Sequence, residues 1–464
     1  MNDFRYLLCG LGFTLLTPGV LAAQSAPTHV DVFVSGTQGY HTFRIPAIET
    51  APDGSLLAFA EARKYNANDP GYGKQDIDLV LRRSTDGGKT WSAMKVIEDP
   101  GELWSAANPA TLLDRQSKRV WLLYLRCKPE RGTERARPGT DDSQVLARTS
   151  DDNGLTWSEP IDLTAVSREM ADAKWRVSVV GPGGMIQDRK GRLLAPVWKF
   201  EPFETFAIYS EDHGRTWHRG QMVPGSGDEN QLVELADGRL VMDIRQHGGS
   251  HRWMSTSGDG GRTWSAQRPG NRVSPIACAI ERYTLKSAGE DRDRILWTGP
   301  KGPDRQKLVV RVSYDEGQTF SNERLIWDKY AAYSDLAILP DKTVGVLWER
   351  GVERGYQFIT LTRFGMEFLE PGAAEEKPKE AAKDEVKPRP KKPRSKPEGK
   401  KKVAKGRGGE INAPAAKGER KEDQLVVGAP ALDFTLPDPE GATEITLSRF
   451  RGRMPVVLIF GSFT

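Results

Sequence analysis

The residues of this sequence that could act together chemically are three arginines, three carboxylates and a tyrosine, spread between positions 44 and 349. They are Arg44, Arg245, Arg305, Asp69, Glu229, Glu349 and Tyr333. Three guanidinium groups can grip a carboxylate through charge-assisted, partly bidentate hydrogen bonds. A buried cluster of like charges is costly unless an anion joins it. If a fold gathers these residues, the set therefore predicts a site for an acidic ligand.

A repeated motif indicates what kind of fold could gather them. The pattern Ser-x-Asp-x-Gly-x-Thr followed by an aromatic residue occurs five times, with starts 66, 60, 47 and 56 residues apart. The copies are Ser84–Trp91, Ser150–Trp157, Ser210–Trp217, Ser257–Trp264 and Ser313–Phe320. Such a period indicates one supersecondary unit used many times in a solenoid or propeller. The Asp and Gly suit a tight loop, and the Thr and aromatic residue suit re-entry into a strand. We therefore interpret the copies as structural turns and assign them no catalysis.

The segments around each copy read as β-strands. Before the first copy, Ala47–Thr50 and Leu56–Ala62 flank a Pro-Asp-Gly turn, and Ile77–Arg82 leads into the motif as a third strand. Six such units lie between about residue 40 and residue 371, and the last one lacks the motif. Four antiparallel strands per unit are typical of a propeller blade. The sequence thus predicts an all-β fold, a six-bladed β-propeller.

Strand direction then places the chemical residues. Because strands alternate in direction, the start of strand one, the end of strand two and the start of strand three of each blade share one face. The positions on that face are Arg44, Arg63, Asp69, Glu229, Arg245, Arg305, Tyr333 and Glu349. We expect them to converge on one mouth of the propeller axis, with the five repeated turns on the opposite face.

On these residues the chain resembles the exo-α-sialidases, or neuraminidases, with Asp-box (BNR) repeats. The resemblance covers about residues 30–371. Phe43-Arg44-Ile45-Pro46 is similar to the family's arginine motif, and Tyr333-Ser334-Asp335-Leu336-Ala337 is similar to its nucleophile segment. The remaining matches are Arg63 with Asp69 six residues later, Glu229, Arg245, Arg305, and Glu349 in Val346–Gly351.

The resemblance implies retaining hydrolysis of terminal α-linked sialic acids from glycans, glycoproteins or glycolipids, through a tyrosine nucleophile. Tyr333 would be the nucleophile, Glu229 would take its proton, and Asp69 would serve as acid and then base. The substrate contacts would be Arg44, Arg63, Arg245 and Arg305, with Glu349 orienting the first of them. A neutral phenol suits this substrate, because the sugar's own carboxylate would repel an anionic nucleophile.

Several alternatives stay open. Asp76 competes with Asp69 for the acid role, and Asp78 does so less well because it lies within a strand pattern. Tyr330 lies close to Tyr333 in sequence. A sialoglycan-binding propeller without catalysis is the main alternative function, and hydrolase, trans-sialidase and action on related nine-carbon keto acids are not separated. We expect a monomer that needs no cofactor and no metal, since the histidines show no ligand spacing. Cys127 and Cys278 are expected to be buried free thiols, with one bridge between them as the alternative.

The start of the chain has the features of a secretory signal. Arg5 precedes an apolar run from Tyr6 to Leu21, followed by Ala22 and Ala23. We therefore predict a signal peptide over residues 1–23, a propeller domain over residues 24–371, and secretion to the periplasm, cell surface or exterior. Glycines and a proline interrupt the apolar run, so we do not expect stable membrane insertion.

The part of the chain after the predicted propeller divides into two segments. From Gly372 to Asp423 there are 17 Lys and Arg against 10 Asp and Glu, and apolar residues almost vanish. Such a composition predicts a disordered basic linker over residues 372–423. Because this segment carries the excess of positive charge, the near-neutral body before it gives no indication of nucleic acid binding.

Residues 424–464 resemble the opening of a thioredoxin-like domain of the peroxiredoxin and iodothyronine deiodinase type. The likeness rests on Gly428–Pro437, on Leu447–Gly452 and on a predicted buried strand at Val456–Phe460. One hypothesis is a redox fusion cut short at an in-frame UGA that encodes selenocysteine, and the other is a degraded domain. Forty-one residues with one buried strand are too few for an independent core.

Overall fold

Strands and tight turns fill the central part of the chain. The computed structural model describes residues 26–370 together with Thr435–Pro437 and Glu444–Thr446. The predicted signal peptide, the predicted linker and the predicted strand at Val456–Phe460 lie outside the described residues.

The described elements are almost all strands. The first half of the propeller region contains β1 Thr28–Val34, β2 Thr42–Thr50, β3 Leu56–Arg63, β4 Ile77–Ser84, β5 Lys95–Glu98, β6 Ser105–Asp114, β7 Arg119–Cys127, β8 Ser143–Ser150, β9 Ile161–Asp162, β10 Val177–Val180, β11 Gly183–Gly184 and β12 Ile186–Gln187. The second half contains β13 Leu193–Phe200, β14 Glu204–Ser210, β15 His218–Arg219, β16 Asn230–Glu234, β17 Leu240–Arg245, β18 His251–Ser257, β19 Arg268–Arg272, β20 Ala279–Thr284, β21 Arg294–Pro300, β22 Gln306–Ser313, β23 Ser321–Ile338, β24 Val344–Arg350 and β25 Phe358–Phe364. The helical elements are α1 Thr164–Ser167, α2 Met366–Leu369 and a 3₁₀ turn at Lys286–Ala288.

Within each meander, consecutive strands pair antiparallel, as the hairpin signals predicted. The sequences β2–β3–β4–β5, β6–β7–β8–β9 and β16–β17–β18–β19 each form a meander, and β13–β14–β15 forms another with β10 and β12 at its inner edge. The all-β prediction is therefore confirmed. Two short strands, β10 and β12, form this inner edge where four strands per unit predict one, because a glycine-rich segment at residues 181–184 lies between them.

The strand β23 differs from expectation in its length. Four strands per unit make the last strand of the fifth unit and the first strand of the sixth separate elements, but one strand of 18 residues, Ser321–Ile338, runs through both. Its first half pairs with β22, where Leu308 lies opposite Trp327, and its second half pairs with β24, where Ser334 lies opposite Trp348. The segment contains no glycine or proline to force a break, so the extended backbone continues from one meander into the next.

The strand β1 was not foreseen. It pairs antiparallel with β25 from Thr28 opposite Arg363 to Val34 opposite Phe358. The last meander therefore consists of β23, β24, β25 and β1, and takes one of its strands from the other end of the described region. This pairing ties the two ends of residues 26–370 together.

The repeated motifs form the turns that the sequence predicted. In the first copy Ser84 Oγ donates to Asp86 Oδ1 at 2.8 Å, Gly88 N donates to Ser84 Oγ at 2.8 Å, and Thr90 Oγ1 donates to Asp86 Oδ2 at 2.6 Å. The other four copies repeat the bond from the serine hydroxyl to the aspartate and the bond from the glycine N–H to the serine. Each motif thus closes its own loop.

The motifs also join neighbouring meanders. The ring of Trp157 packs edge-on against Phe59 at 5.7 Å, and Trp217 packs in the same way against Trp121 at 5.7 Å. Gly214 has a φ of +80°, and a Cβ there would lie 2.2 Å from the Trp121 ring. The glycine is therefore required both by its backbone conformation and by the close packing of one meander on the next.

The described part of the chain after residue 370 is one small hairpin, β26 Thr435–Pro437 paired antiparallel with β27 Glu444–Thr446. Cys127 and Cys278 are both buried and unbridged, as expected by default. Among the described residues, no helix is long and apolar enough to cross a membrane.

Candidate active site

Backbone bulges in two inner strands turn the key side chains toward one cavity. The pairing of β2 with β3 shifts register between Arg44 and Ala47, and Ile45 has a φ of +53° just before a proline. The pairing of β23 with β24 shifts register between Ala331 and Ser334, on either side of Tyr333. Bulges re-aim side chains in this way next to many active sites.

Arg44 is held from below by Glu349. Its Nε donates to Glu349 Oε1 at 2.6 Å, and the N–H of Ile45 donates to the same oxygen at 2.9 Å. The N–H of Tyr333 donates to Glu349 Oε2 at 3.2 Å. One fully buried carboxylate thus fixes both the first arginine and the strand of the tyrosine.

Tyr333 and Glu229 form a short hydrogen-bonded pair. The phenol oxygen lies 2.6 Å from Glu229 Oε1 and 2.7 Å from Oε2. Arg245 Nη1 donates to Glu229 Oε2 at 2.6 Å and to the phenol oxygen at 3.2 Å. Burial raises the pKa of Glu229, against the opposing charge of Arg245. Burial, followed by the Glu229 carboxylate, raises the pKa of Tyr333 well above its ordinary value, so the phenol is neutral in the resting site.

The other two arginines of the set meet at the same tyrosine. The guanidinium carbons of Arg44 and Arg305 lie 5.3 Å and 5.6 Å from the centre of the Tyr333 ring. Tyr356 lies beneath both of them, with its ring centre 4.0 Å from Cζ of Arg44 and its hydroxyl bonded to Arg305 Nη1. The three arginines predicted from sequence are therefore gathered around one phenol.

Asp69 lies in the loop after β3 and is braced by Arg63. Arg63 Nη1 donates to Asp69 Oδ1 at 3.2 Å and to the carbonyl oxygens of Ala67 and Asn68 at 2.6 and 2.7 Å. Its other donors bind Glu61 Oε2. Most of the N–H donors of Arg63, the predicted substrate contact, thus form hydrogen bonds within the protein. The Asp69 side chain, in contrast, is 72% exposed.

The charge around Asp69 favours its ionised form. Desolvation at the cavity wall opposes ionisation, but the positive charges of Arg63 and Arg44 hold the pKa of Asp69 below its ordinary value. Arg44 Nη1 lies 4.0 Å from Asp69 Oδ1. An anion bound by Arg44 would therefore remove part of this effect and shift Asp69 toward its protonated form.

The alternative candidates for the acid and for the nucleophile do not line the cavity. Asp76 and Asp78 share the ammonium group of Lys64 at 2.8 and 3.3 Å and do not line the cavity. The ring of Tyr330 packs edge-on against Tyr356 at 5.3 Å, and it is also absent from the lining.

The predicted site residues surround a single cavity of about 790 Å³. Its charged and phenolic lining includes Arg44, Arg63, Asp69, Glu229, Arg245, Arg305 and Tyr333, with Glu349 directly beneath. Its apolar lining includes Leu125, Val177, Val179, Trp198, Phe200 and Phe203. The cavity can therefore hold a ligand that carries both an acidic group and apolar substituents. Within the described residues, no group of three or more His, Cys, Asp or Glu is placed to hold a metal ion.

Sequence reasoning missed several lining residues, among them Tyr356 and His247. Tyr356 lies two residues before β25, the third strand of its meander, and Arg305 lies directly before β22, the third strand of the preceding one. The rule that selected Arg305 would therefore have selected Tyr356. His247 follows the end of β17, stacks on Phe203 at 4.6 Å and places Nδ1 3.1 Å from Asp228 Oδ2. Its position two residues after Arg245 was the available signal.

Comparisons with known proteins agree with this geometry. A family model described as a BNR repeat-like domain matches residues 54–346. The sialidase of Micromonospora viridifaciens is 32% identical over 359 residues, which are 73% of this chain and 54% of that protein. The sialidase of Clostridium perfringens is 32% identical over 302 residues, which are 59% of this chain and 76% of that protein. The chain thus spans about half of the first relative's length and three quarters of the second's.

Solved structures agree as well. A Hadza microbial sialidase superposes with a TM-score of 0.66 and 26% identity, covering 73% of this chain and 68% of that one. The fold is therefore of the β-propeller type found in sialidases. From the family model and the Clostridium relative together, the chain belongs to the exo-α-sialidase superfamily with BNR repeats.

Proposed function

We propose that the protein is a retaining exo-α-sialidase that removes terminal α-linked sialic acids from glycans, glycoproteins or glycolipids. The observation that carries the proposal is the neutral phenol of Tyr333, bonded to Glu229 and surrounded by the guanidinium groups of Arg44, Arg245 and Arg305. An acidic sugar suits such a site, because its carboxylate balances the three cations.

The first chemical step follows from the hydrogen bonds. The substrate carboxylate would bind the three arginines, which brings the adjacent anomeric carbon to the phenol oxygen of Tyr333. As the oxygen–carbon bond forms, the phenol proton passes to Glu229, and the bond to the leaving oxygen breaks. Asp69 would give its proton to that leaving oxygen.

The second step reverses the roles. Asp69, now ionised, would take a proton from water as the water oxygen attacks the anomeric carbon. The bond to Tyr333 breaks, and Glu229 returns the proton to the phenol oxygen. The arginines favour both transition states, because a fixed carboxylate lies beside the developing positive charge on the sugar.

The pKa directions suit these roles. A raised pKa makes Glu229 a stronger base toward a phenol that is itself hard to ionise. A substrate carboxylate bound to Arg44 would offset part of the positive charge that lowers the pKa of Asp69, and so favour the protonated form that the acid role requires.

The remaining features of the proposal concern architecture and location. We propose six four-stranded blades within residues 24–371, with the sixth closed by β1, and a monomer in solution. The pairing of β1 with β25 supports this count, because it supplies the outer strand that the sixth meander otherwise lacks. The apolar run of residues 6–21 supports export by a signal peptide.

Covalent trapping tests the proposed nucleophile. A sialic acid with fluorine at C2 and C3 should add one fluorosugar to the protein. The fluorine at C3 slows both steps, but fluoride at C2 is a good leaving group, so the intermediate forms faster than it is released. We expect intact mass spectrometry to show one adduct, mapped by proteolysis to Tyr333. Tyr333→Phe should give no adduct at that peptide, while Tyr330→Phe, which alters the neighbouring tyrosine outside the cavity, should give the adduct normally.

The same samples separate catalysis from binding. Wild-type protein should release 4-methylumbelliferone from its α-sialoside. Protein that binds the fluorosugar reversibly but forms no adduct and releases no dye would support the sialoglycan-binding alternative and overturn the proposal.

A further inference from the structure

Two loops that line the cavity meet at a pair of glycines. Gly71 lies two residues after Asp69, and Gly132 lies in the loop between β7 and β8. The N–H of Gly132 donates to the carbonyl oxygen of Gly71 at 3.3 Å. A Cβ on Gly71 would lie only 2.3 Å from the backbone N of Gly132. The two backbones therefore touch with no side chain between them.

The space at Gly132 is equally restricted. A Cβ there would lie 2.6 Å from Cε2 of Tyr72 and 2.7 Å from the carbonyl oxygen of Pro70. Both contacts fall on the turn that follows Asp69. Gly132 does not have a positive φ, so alanine suits its backbone and the effect of a substitution there is steric alone.

The loop that carries Gly132 is braced against movement. The fully buried carboxylate of Asp142 accepts bonds from the N–H and Nε of Arg137 at 3.0 and 2.8 Å. The N–H of Ala136 donates to the carbonyl oxygen of Gly132 at 2.9 Å. A group added at Gly132 would therefore push outward, onto residues 70–72.

The turn after Asp69 is held by longer hydrogen bonds than the loop that carries Gly132. It is closed by the bond from Tyr72 N to the carbonyl oxygen of Asp69 at 3.2 Å, and Tyr72 also lies 3.1 Å from the Thr133 hydroxyl through its own hydroxyl. Gly71 N donates to Ser105 Oγ at 3.3 Å, and Arg63 Nη1 donates to the Asp69 carboxylate at 3.2 Å as well as to the carbonyl oxygens of Ala67 and Asn68. A push on residues 70–72 would therefore strain the longer of these bonds and displace Asp69 together with the turn.

We propose that Gly132 is a positioning residue for Asp69. Its missing side chain lets the loop between β7 and β8 support the turn at the distance that places the Asp69 carboxyl beside the glycosidic oxygen. The inference rests on the acid/base role proposed for Asp69. A misplacement of about 1 Å can cost about 10²-fold in rate, and this loss applies to reactions whose leaving group needs a proton.

The test compares two leaving groups in full-length protein. The substrates are 3′-sialyllactose, whose leaving alcohol requires a proton, and 4-methylumbelliferyl α-sialoside, whose phenol leaves without one. The measured quantity is kcat/KM, because it reports only the steps up to release of the leaving group. We expect Gly132→Ala to lose about 10²-fold on sialyllactose and much less on the phenolic substrate.

The matched control is Gly258→Ala. Gly258 has no positive φ, and a Cβ there would meet no atom within 4 Å, so both substrates should react as with wild type. Equal losses of Gly132→Ala on the two substrates, or no loss on either, would overturn the proposal. A wild-type protein that cleaves neither substrate would instead contradict the sialidase activity itself.

A second variant covers the case in which Gly132→Ala does not fold. Tyr72→Phe adds no atom and removes the hydroxyl that bridges to Thr133, so it loosens the same contact from the other loop. We expect a selective loss of several-fold on sialyllactose, with an unchanged thermal midpoint. A loss that is equal on both substrates, or none, would contradict the proposed support of Asp69.

Discussion

The carboxylate of Glu349 lies flat against the guanidinium group of Arg44, with 2.6 Å between Oε1 and Nε and 3.4 Å between Oε2 and Nη2. Glu349 is fully buried and Arg44 is 4% exposed. The pair also receives the N–H of Tyr333, so it joins β2, β23 and β24 beneath the cavity. We therefore expect the stability of the protein and the binding of its proposed substrate to depend on the same ion pair.

Glu349→Gln should weaken both properties. The substitution leaves the Arg44 charge buried without its partner, and breaking a buried pair costs about 3–5 kcal/mol. We expect the free energy of unfolding to fall by about that amount and KM for sialyllactose to rise. Chemical denaturation and steady-state kinetics measure the two effects. Asp151→Asn breaks the exposed pair with Arg119 and should change neither; a Glu349→Gln protein as stable as wild type would refute the expectation.

The elements that could be predicted from sequence are those that have their own local residue patterns. The turns formed by the five repeated motifs, and the hairpins that flank them, are of this kind. The alternating direction of the strands then predicted that Arg44, Arg245 and Arg305 share one face. The pairing of β1 with β25 joins residues more than 300 positions apart, so no local pattern announces it. The continuity of β23 was missed because no residue pattern marks it. The only indication is that Ser321–Ile338 contains no glycine or proline that would end a strand.

The bulges are the other part that sequence reasoning did not supply. A proline after Ile45 hinted at irregular pairing in β2, but nothing in Ala331–Ser334 signals that the register shifts there. The orientation of Tyr333 toward Glu229 depends on that shift. Sequence thus predicted which face carries the tyrosine, and tertiary pairing determined where its hydroxyl lies.

Tyr356 should contribute to binding of the substrate carboxylate. Its hydroxyl fixes Arg305 and its ring lies 4.0 Å from the guanidinium carbon of Arg44. Tyr356→Phe removes only the hydrogen bond to a charged group, worth about 1.5–3 kcal/mol, so we expect KM to rise at least several-fold with a smaller change in kcat. Tyr356→Leu also removes the cation–π contact, worth about 0.5–2 kcal/mol, and should raise KM further.

Titration calorimetry with a sialic acid analogue that retains the carboxylate checks this order of effects. Tyr283→Phe is the control, because the Tyr283 hydroxyl donates to the carbonyl oxygen of Lys342, away from the cavity. If Tyr356→Phe and Tyr356→Leu bind the analogue as tightly as wild type, Tyr356 has no part in holding the arginines.

The stability of the protein should fall between about pH 5 and pH 8 because of two acidic side chains on inner strands. Burial, followed by the charges of Glu49 and Asp335, raises the pKa of Glu281 to about 8, and burial raises that of Glu49 to about 8. A carboxyl group whose pKa is raised on folding stabilises the protein below its unfolded value of about 4.3. This stabilisation is lost as the pH rises through the folded value.

Glu281→Gln should reduce this pH dependence. We expect its thermal midpoint to exceed that of wild type at pH 8 and to approach it near pH 5, as measured by scanning calorimetry at several pH values. Glu323→Gln serves as the comparison, since Lys301 and Arg311 hold the pKa of Glu323 below its ordinary value against partial burial. Parallel midpoint curves for wild type and Glu281→Gln would show that the glutamate is already ionised in the folded protein.

The effect of Asp69→Asn on two substrates with different leaving groups should show that Asp69 is the general acid. A positioned general acid contributes about 10²–10⁴-fold, so kcat/KM should fall by that range on 3′-sialyllactose and far less on 4-methylumbelliferyl α-sialoside. Asp76→Asn removes the competing carboxylate, which lies outside the cavity beside Lys64, and any loss it causes should be equal on both substrates. If Asp76→Asn showed the dependence on leaving group and Asp69→Asn did not, the acid would be Asp76, and the contact between Gly71 and Gly132 would lose its proposed role as well.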